Sequence, residues 1–230
     1  MATILEESGF IPEKELKIVG TNPVKQDGMD KVTGRANFGA DFFLPGMLYG
    51  KVARSPHAHA IIKSIDTSKA EALPGVKAVM TSADLPEIPQ GTPGGDMTRN
   101  SMAREKALYD GHPVAAVAAT SEAIAKRAIK LIEVEYEILP HVIDPVEAMK
   151  PGAPILHDYM RTNGDPDAKD EPTNVSEKMI TQAGDIAKGF GEAEIVVERE
   201  FDSKPMHQGY IEPQACVANY SEDGQIDLWT

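Results

Sequence analysis

Between Pro23 and Pro86 the turn-forming residues fall so close together that only short strands and single-turn helices fit between them. Asp27-Gly28, Thr33-Gly34, Pro45-Gly46, Ser55-Pro56 and Pro74-Gly75 all punctuate the chain. Leu48 to Arg54 reads as a strand ending at Ser55, because a following proline confines its predecessor to extended geometry. Ala60 to Asp66, rich in isoleucine, is a second strand. Thr67 and Ser68 are N-cap residue types for a short helix, Lys69 to Leu73, which Pro74-Gly75 stops. Val76 to Met80 is a third strand, and Thr81 starts a further short turn reaching Leu85. The order predicts a compact β-β-α-β unit.

Beyond it, Gln90 to Asp96 (QGTPGGD) reads as a flexible loop by composition. Pro113 to Ala119 is a continuous apolar run without alternation, as in a strand covered on both faces. Ser121 then caps a helix, Glu122 to Ile132, whose buried stripe is Ala123, Ile124, Ala128, Ile129 and Leu131 or Ile132. The next strand alternates: Val134, Tyr136 and Ile138 face one way and Glu133, Glu135 and Glu137 face water. Pro140 to Asn174 is rich in proline, glycine and acids, and reads as a long linker wrapping over a surface. Asp185 caps a helix to about Ala193, and Glu194 to Phe201 reads as a strand. Ala215 to Tyr220 and Gln225 to Thr230 form a hairpin around Glu222-Asp223-Gly224.

Composition limits the function classes. No apolar run approaches the roughly 20 residues of a membrane helix, and the N-terminus has acids where a signal peptide has bases. The expectation is a soluble, cytoplasmic protein. One cysteine, Cys216, excludes an internal disulfide framework and a cysteine-ligated cluster held by this chain alone. Net charge is −13, and residues 131–200 carry 16 Asp or Glu against 6 Lys or Arg. Such a surface repels nucleic acid and anionic membranes. It serves solubility or meets a basic partner surface.

Several residue groups invite chemistry. His57 and His59 stand at i and i+2, which on a strand places both on one face. That spacing suits zinc or copper, but no third ligand stands nearby, so the pair reads as hydrogen-bonding side chains at a strand entrance. Asp27-Gly28-Met29-Asp30 and Asp165-Pro166-Asp167 lack the alternating ligands and closing glutamate of a calcium loop and read as turns. Gly91, Gly94 and Gly95 have no strand running in and no helix opening from them, which argues against a phosphate loop. No Gly-x-Ser-x-Gly elbow occurs, and Cys216 between Ala215 and Val217 reads as a buried, inert thiol.

The segments Asp27-Gly28 to Thr33-Gly34, Tyr49 to Ala60 (YGKVARSPHAHA), and Ile65 to Ser68 followed by Leu73-Pro74-Gly75-Val76 together resemble the molybdenum hydroxylases. This is the xanthine dehydrogenase and aldehyde oxidase family, which includes carbon monoxide dehydrogenase and 4-hydroxybenzoyl-CoA reductase, to whose alpha subunit the chain is similar. The matching part is the start of the molybdopterin-binding large subunit, and the resemblance covers nearly all of residues 20–230. It implies an α+β class: an N-terminal extension over 1–22, an α/β hammerhead domain over 23–140, a linker over 141–180, and the start of the first molybdopterin-binding domain over 181–230. His207-Gln208-Gly209-Tyr210-Ile211-Glu212-Pro213-Gln214 with Cys216 resembles the family's histidine-to-glutamate segment. His207 and Glu212 are the candidate cofactor-site residues. They either orient groups around a molybdenum centre or hold a domain junction together. No catalytic residue and no metal ligand is assigned.

The resemblance further implies a molybdopterin-type molybdenum cofactor held mainly by the part that follows, with [2Fe-2S] clusters and FAD in partner subunits. The implied partners are the remainder of the molybdopterin subunit, an iron–sulfur subunit, a flavin subunit and a small-molecule substrate. The implied reaction hydroxylates a heterocycle or aldehyde with water, or runs a reductive dehydroxylation. The family's pterin-holding loops and catalytic glutamate come after the position of Thr230, so another chain or a longer protein is expected to supply them. The alternative is a non-catalytic binding or assembly module with a hammerhead fold.

Overall fold

The isoleucine- and alanine-rich segments pair as antiparallel strands, and the charged, proline-containing stretches between them stay irregular. This computed structural model describes residues 17–230, so the expected leader falls outside it for residues 1–16. Residues 17–44 with Ser203–Thr230 form one compact unit, and Pro45–Asp202 forms a second.

In the first unit, Asp27-Gly28 opens a short helix rather than a simple turn: α1, Gly28–Val32. The Lys31 ammonium reaches back to Asp27 at 2.6 Å, the i,i+4 pairing that supports a helix too short to hold itself. Gly34, at φ +71°, ends it where an L side chain is strained.

The second unit contains strands β1 (Tyr49–Arg54) and β2 (Ala60–Asp66), helix α2 (Ser68–Glu71) and strand β3 (Val76–Thr81). It continues with α3 (Pro93–Ser101), β4 (Lys106–Ala107), β5 (Pro113–Ala119), α4 (Glu122–Ala128) and β6 (Glu133–Ile138). Its two sheets have the orders β1-β5-β3 and β4-β2-β6. The continuous apolar run expected to be covered on both faces is β5, the middle strand, with Val114, Ala115, Val117 and Ala119 buried. Ala70, Val117, Ala119, Ala125 and Ala128 make the central cluster, and Leu73, Val76, Val79 and Ile124 close around it. Alanine at these contacts lets the helices approach the sheet closely. Gly75 serves the same end: at φ +94° it turns the chain, and a Cβ there would lie 2.6 Å from Ile124 Cδ1.

Local capping departs from expectation at α2. Thr67 and Ser68 do not cap with their side chains; Asp66 Oδ1 accepts from the Ser68 N–H at 2.9 Å, and the Thr67 hydroxyl donates to Glu71. A carboxylate is the stronger acceptor for the free amides of a first turn. Ser121 caps α4 as expected, accepting from Ile124 N. The helix, however, tightens into a 3₁₀ turn over Ile129–Leu131, and Ala125 is buried where Ala123 was expected. The loop expected over Gln90–Asp96 is overturned, since α3 opens inside it at Pro93. Thr92 is its N-cap, accepting from Gly95 N at 3.1 Å. Gly95 faces the Pro89 carbonyl at a separation no side chain tolerates, because a Cβ would stand 2.0 Å from that oxygen.

Residues 140–178 lie against this unit as a strap. It contains α5 (Pro145–Ala148), capped by Asp144, and a parallel bridge between Asn163 and Glu177. Asn174 clamps it: Oδ1 accepts from Leu156 N, while Nδ2 donates to the Ala148 and Pro154 carbonyls at 3.0 and 2.9 Å. Helix α6 (Ile186–Glu192) follows, capped by Asp185 as expected. The strand expected over Glu194–Phe201 is absent; these residues are exposed and no strand pairs with them among the described residues. A β pattern without a partner has no ladder to join.

The hairpin does form in the first unit, as β7 (Val217–Tyr220) and β8 (Ile226–Trp229). Gly224 at φ +87° turns it, and Trp229 stacks on Phe42 with ring centroids 5.8 Å apart.

Candidate functional site

Two regions carry the residues singled out in the sequence. The first is 203–216, which runs without regular structure into β7, and every residue in it is exposed. His207 Nδ1 accepts from Gly209 N at 2.9 Å, and its ring rests on Tyr210 with centroids 4.9 Å apart. Tyr210 in turn takes a bond from the Gln214 amide at 2.6 Å. Glu212 stands where its charge acts on Lys31, whose ammonium is held above its ordinary range mainly by the Asp27 hydrogen bond. His207 and Glu212 are therefore engaged locally with different partners. Cys216 is exposed, not buried, because β7 begins only at Val217 and nothing among the described residues covers the approach to it.

The second region lies in the Pro45–Asp202 unit. His57 and His59 sit in the bend between β1 and β2, not on a strand, and their rings go to different neighbours. The His57 ring meets Tyr136 edge-on at 5.0 Å, while His59 is 5% exposed and holds the Pro140 carbonyl through Nδ1 at 2.8 Å. His112 is fully buried: Nδ1 accepts from Leu108 N at 3.1 Å, and Nε2 lies 2.8 Å from the Arg99 carbonyl. Burial holds this imidazole below its ordinary range.

A helix does open from the Gly91, Gly94 and Gly95 cluster, contrary to expectation, but no strand runs into it. The Gly91 N–H is turned toward Asp96 Oδ1 at 3.2 Å, so a carboxylate of the chain itself takes the place of an external anion. The same Oδ1 accepts from the Tyr159 hydroxyl at 2.6 Å, and burial, with this bond behind it, pushes that phenol up to about 12. Asp165 forms a local turn with Asp167 N and pairs with Lys178. Sequence reasoning missed Asn174, Tyr159 and His112 as organising residues. The available signal was Asn174 and the single tyrosine, Tyr159, inside a segment rich in proline, glycine and acids.

Comparison with known proteins accounts for both regions. Residues 33–140 match the family model "Aldehyde oxidase and xanthine dehydrogenase, a/b hammerhead domain", and residues 168–230 match "Molybdopterin cofactor-binding domain". The chain belongs to the aldehyde oxidase and xanthine dehydrogenase family. It is 36% identical over 233 residues to the carbon monoxide dehydrogenase large chain of Afipia carboxidovorans, covering 99% of this chain and 29% of that one. It is 33% identical over 217 residues to the nicotinate dehydrogenase large molybdopterin subunit of Eubacterium barkeri, covering 94% of this chain and 47% of that one. Among solved structures, quinoline 2-oxidoreductase from Pseudomonas putida 86 superposes with a TM-score of 0.74 at 30% identity, covering 93% of this chain and 27% of that one. The chain thus spans between a quarter and a half of the length of such relatives. The α+β hammerhead class expected from the sequence stands.

The residues present do not by themselves fit a pterin-bound molybdenum. Such a group needs converging, water-shielded donors, and every residue between 203 and 216 is exposed. No chemical step is derived through it from this chain.

Proposed function

We propose that this chain is the N-terminal part of the molybdopterin-binding subunit of a cytoplasmic molybdenum hydroxylase, an oxidoreductase acting on heterocycles or aldehydes. Its own contribution is a scaffold: the hammerhead unit docks neighbouring subunits, and 203–230 forms one wall of the cofactor site. His207 and Glu212 belong to that wall, orienting groups rather than reacting. The remaining partners are the rest of the subunit, an iron–sulfur subunit and a flavin subunit. The observation that carries this reading is the order of two matched domains along one chain, hammerhead first and cofactor-binding segment second. The exposure of every residue in 203–216 agrees with a wall that other residues complete.

The test is purification of the tagged chain from its native cells, followed by metal analysis and native mass spectrometry. A complex containing molybdenum and iron, with a partner bearing the remaining cofactor-binding segments, is expected. A stable, metal-free monomer would sink this reading and favour a non-catalytic assembly module.

A further inference from the structure

Three hydrogen bonds between described residues fasten 156–159 of the strap to the hammerhead. Lys106 on β4 donates through Nζ to the Leu156 carbonyl at 3.2 Å and to Asp158 Oδ1 at 2.8 Å. Asp96 on α3 accepts the Tyr159 hydroxyl at 2.6 Å. His157 lies between these fastenings in sequence. With Leu108 and Leu156 it lines two cavities, one of about 250 Å³ bordered by α3 and one of about 500 Å³ bordered by strap residues from 141 to 176.

The His157 ring is held by packing. Tyr159 meets it edge-on with centroids 5.5 Å apart, and no described residue hydrogen-bonds either ring nitrogen. The smaller cavity is balanced in charge: Arg99, Arg104 and Lys106 share its wall with Asp96, Glu105 and Asp158. Each of these carboxylates is already engaged. Asp96 holds Tyr159 and the Gly91 N–H, Asp158 holds Lys106, and Glu105 lies 3.6 Å from Arg99 Nε. The larger cavity adds His59, His141 and Asp110, and a Tyr109 phenol that donates to the Asn100 carbonyl. Of all these acids, Asp96 and Asp158 are the two whose charges act on the His157 ring, and they are also the two that fasten the strap. An imidazolium carries two N–H donors and would draw on both carboxylates in competition with Tyr159 and Lys106. Burial above all holds the imidazole below its ordinary range; Lys106 and His59 push the same way, against Asp96 and Asp158. The seated strap therefore favours the neutral ring.

We propose that His157 is an acid-operated release for the strap: its protonation lets residues 154–160 lift from α3 and β4 and joins the two cavities that its ring separates. The direction follows from linkage. The lifted segment takes its proton at the ordinary imidazole value of 6.5 and the seated one below it, so lifting gains as pH falls below that value. One proton sets the ceiling. Between pH 7.5 and 5.5 the lifted population rises by about tenfold at most.

The experiment follows amide hydrogen exchange of the full chain at pH 7.5 and 5.5, with each rate divided by the intrinsic rate at that pH. Opening of 154–160 is expected to rise about three- to tenfold at pH 5.5 while β5 keeps its protection. His157→Phe retains a ring against Tyr159 and takes no proton, so it should keep the protection seen at pH 7.5 and lose the acid response. His157→Gln is the second variant without a titrating ring, should the first pack badly. Tyr159→Phe, which removes one fastening, should raise opening at both pH values and leave the response in place. An acid response that survives in both His157 variants assigns it to the carboxylates and overturns the proposal. An equal loss of protection in β5 also overturns it, because the whole unit would then be opening through His112. Two measurements on the unaltered chain decide the matter without any variant. Unchanged opening of 154–160 between the two pH values, or a His157 imidazole titrating at or above 6.5 by NMR, sinks the release.

Discussion

His112 uses both ring nitrogens while fully buried, and its protonation state is tied to its geometry. Nδ1 accepts the Leu108 N–H, so a proton on Nδ1 ejects that bond. The folded pKa lies below the ordinary imidazole value of about 6.5. The unfolded chain therefore binds more protons over the interval between the two values. The stability contributed by neutral His112 is full above about pH 6.5 and is lost as pH falls through that interval toward the folded value. Urea midpoints should fall on acidification from pH 7.5 to 5, and His112→Gln should flatten this dependence. The same variant leaves the Leu108 N–H without its acceptor and should cost about 2 kcal/mol at pH 7.5. An unchanged slope would remove His112 as its source. Little of this was legible in the sequence, where His112 follows a turn and has no periodic context. The same holds for Cys216, whose apolar neighbours suggested burial, because burial depends on what covers a strand and not on the strand alone.

At the scale of elements, period and punctuation located β1, β2, β3, β5, β6 and the hairpin to within a few residues, because a proline, a glycine or a Ser/Thr cap residue stands near an end of each run. Helix α3 escaped for a physical reason. Its sequence, PGGDMTRNS, has poor intrinsic propensity, and it forms because Thr92 caps it and Gly95 packs on Pro89. The strap escaped similarly: Asn174 joins parts of the chain up to 26 residues away, which no local pattern announces. Asn174→Ala removes three hydrogen bonds at once and should cost about 2 kcal/mol. Limited proteolysis should then cleave within 150–175 well before the hammerhead strands are cut. Tyr159→Phe breaks only the bond to Asp96, so it should loosen the strap less. It should also delete from the alkaline absorbance titration a tyrosine ionising at about 12. Proteolysis of the Asn174 variant at the normal rate would show that the apolar contacts alone hold the strap.

Across the whole molecule the two units differ in how much they bury. Among the described residues of 17–44 and 203–230 only Gly39 is buried, whereas β5 alone buries four side chains. The hairpin puts Ala218 and Tyr220 opposite Leu228 and Ile226 on one face. That face is left open, with Tyr220 at 72%, Ile226 at 67% and Leu228 at 59% exposure. A two-stranded ribbon with an uncovered apolar face is marginal in water. Its amides open locally at little free-energy cost, while those of β5 open only with the Pro45–Asp202 unit as a whole. Hydrogen exchange should accordingly label 203–230 within seconds to minutes and leave β5 protected at least a thousandfold longer. Ile226→Lys with Leu228→Lys should reduce self-association of the free chain without moving the β5 exchange rates, because neither residue touches that core. If the cofactor-binding segment takes its order from neighbouring subunit mass, adding the partner from the native complex should slow exchange across 217–229 and not across 113–119. Equal protection of the hairpin and β5 in the free chain would mean that 203–230 is already a finished structure, and the scaffold reading would lose its main physical support.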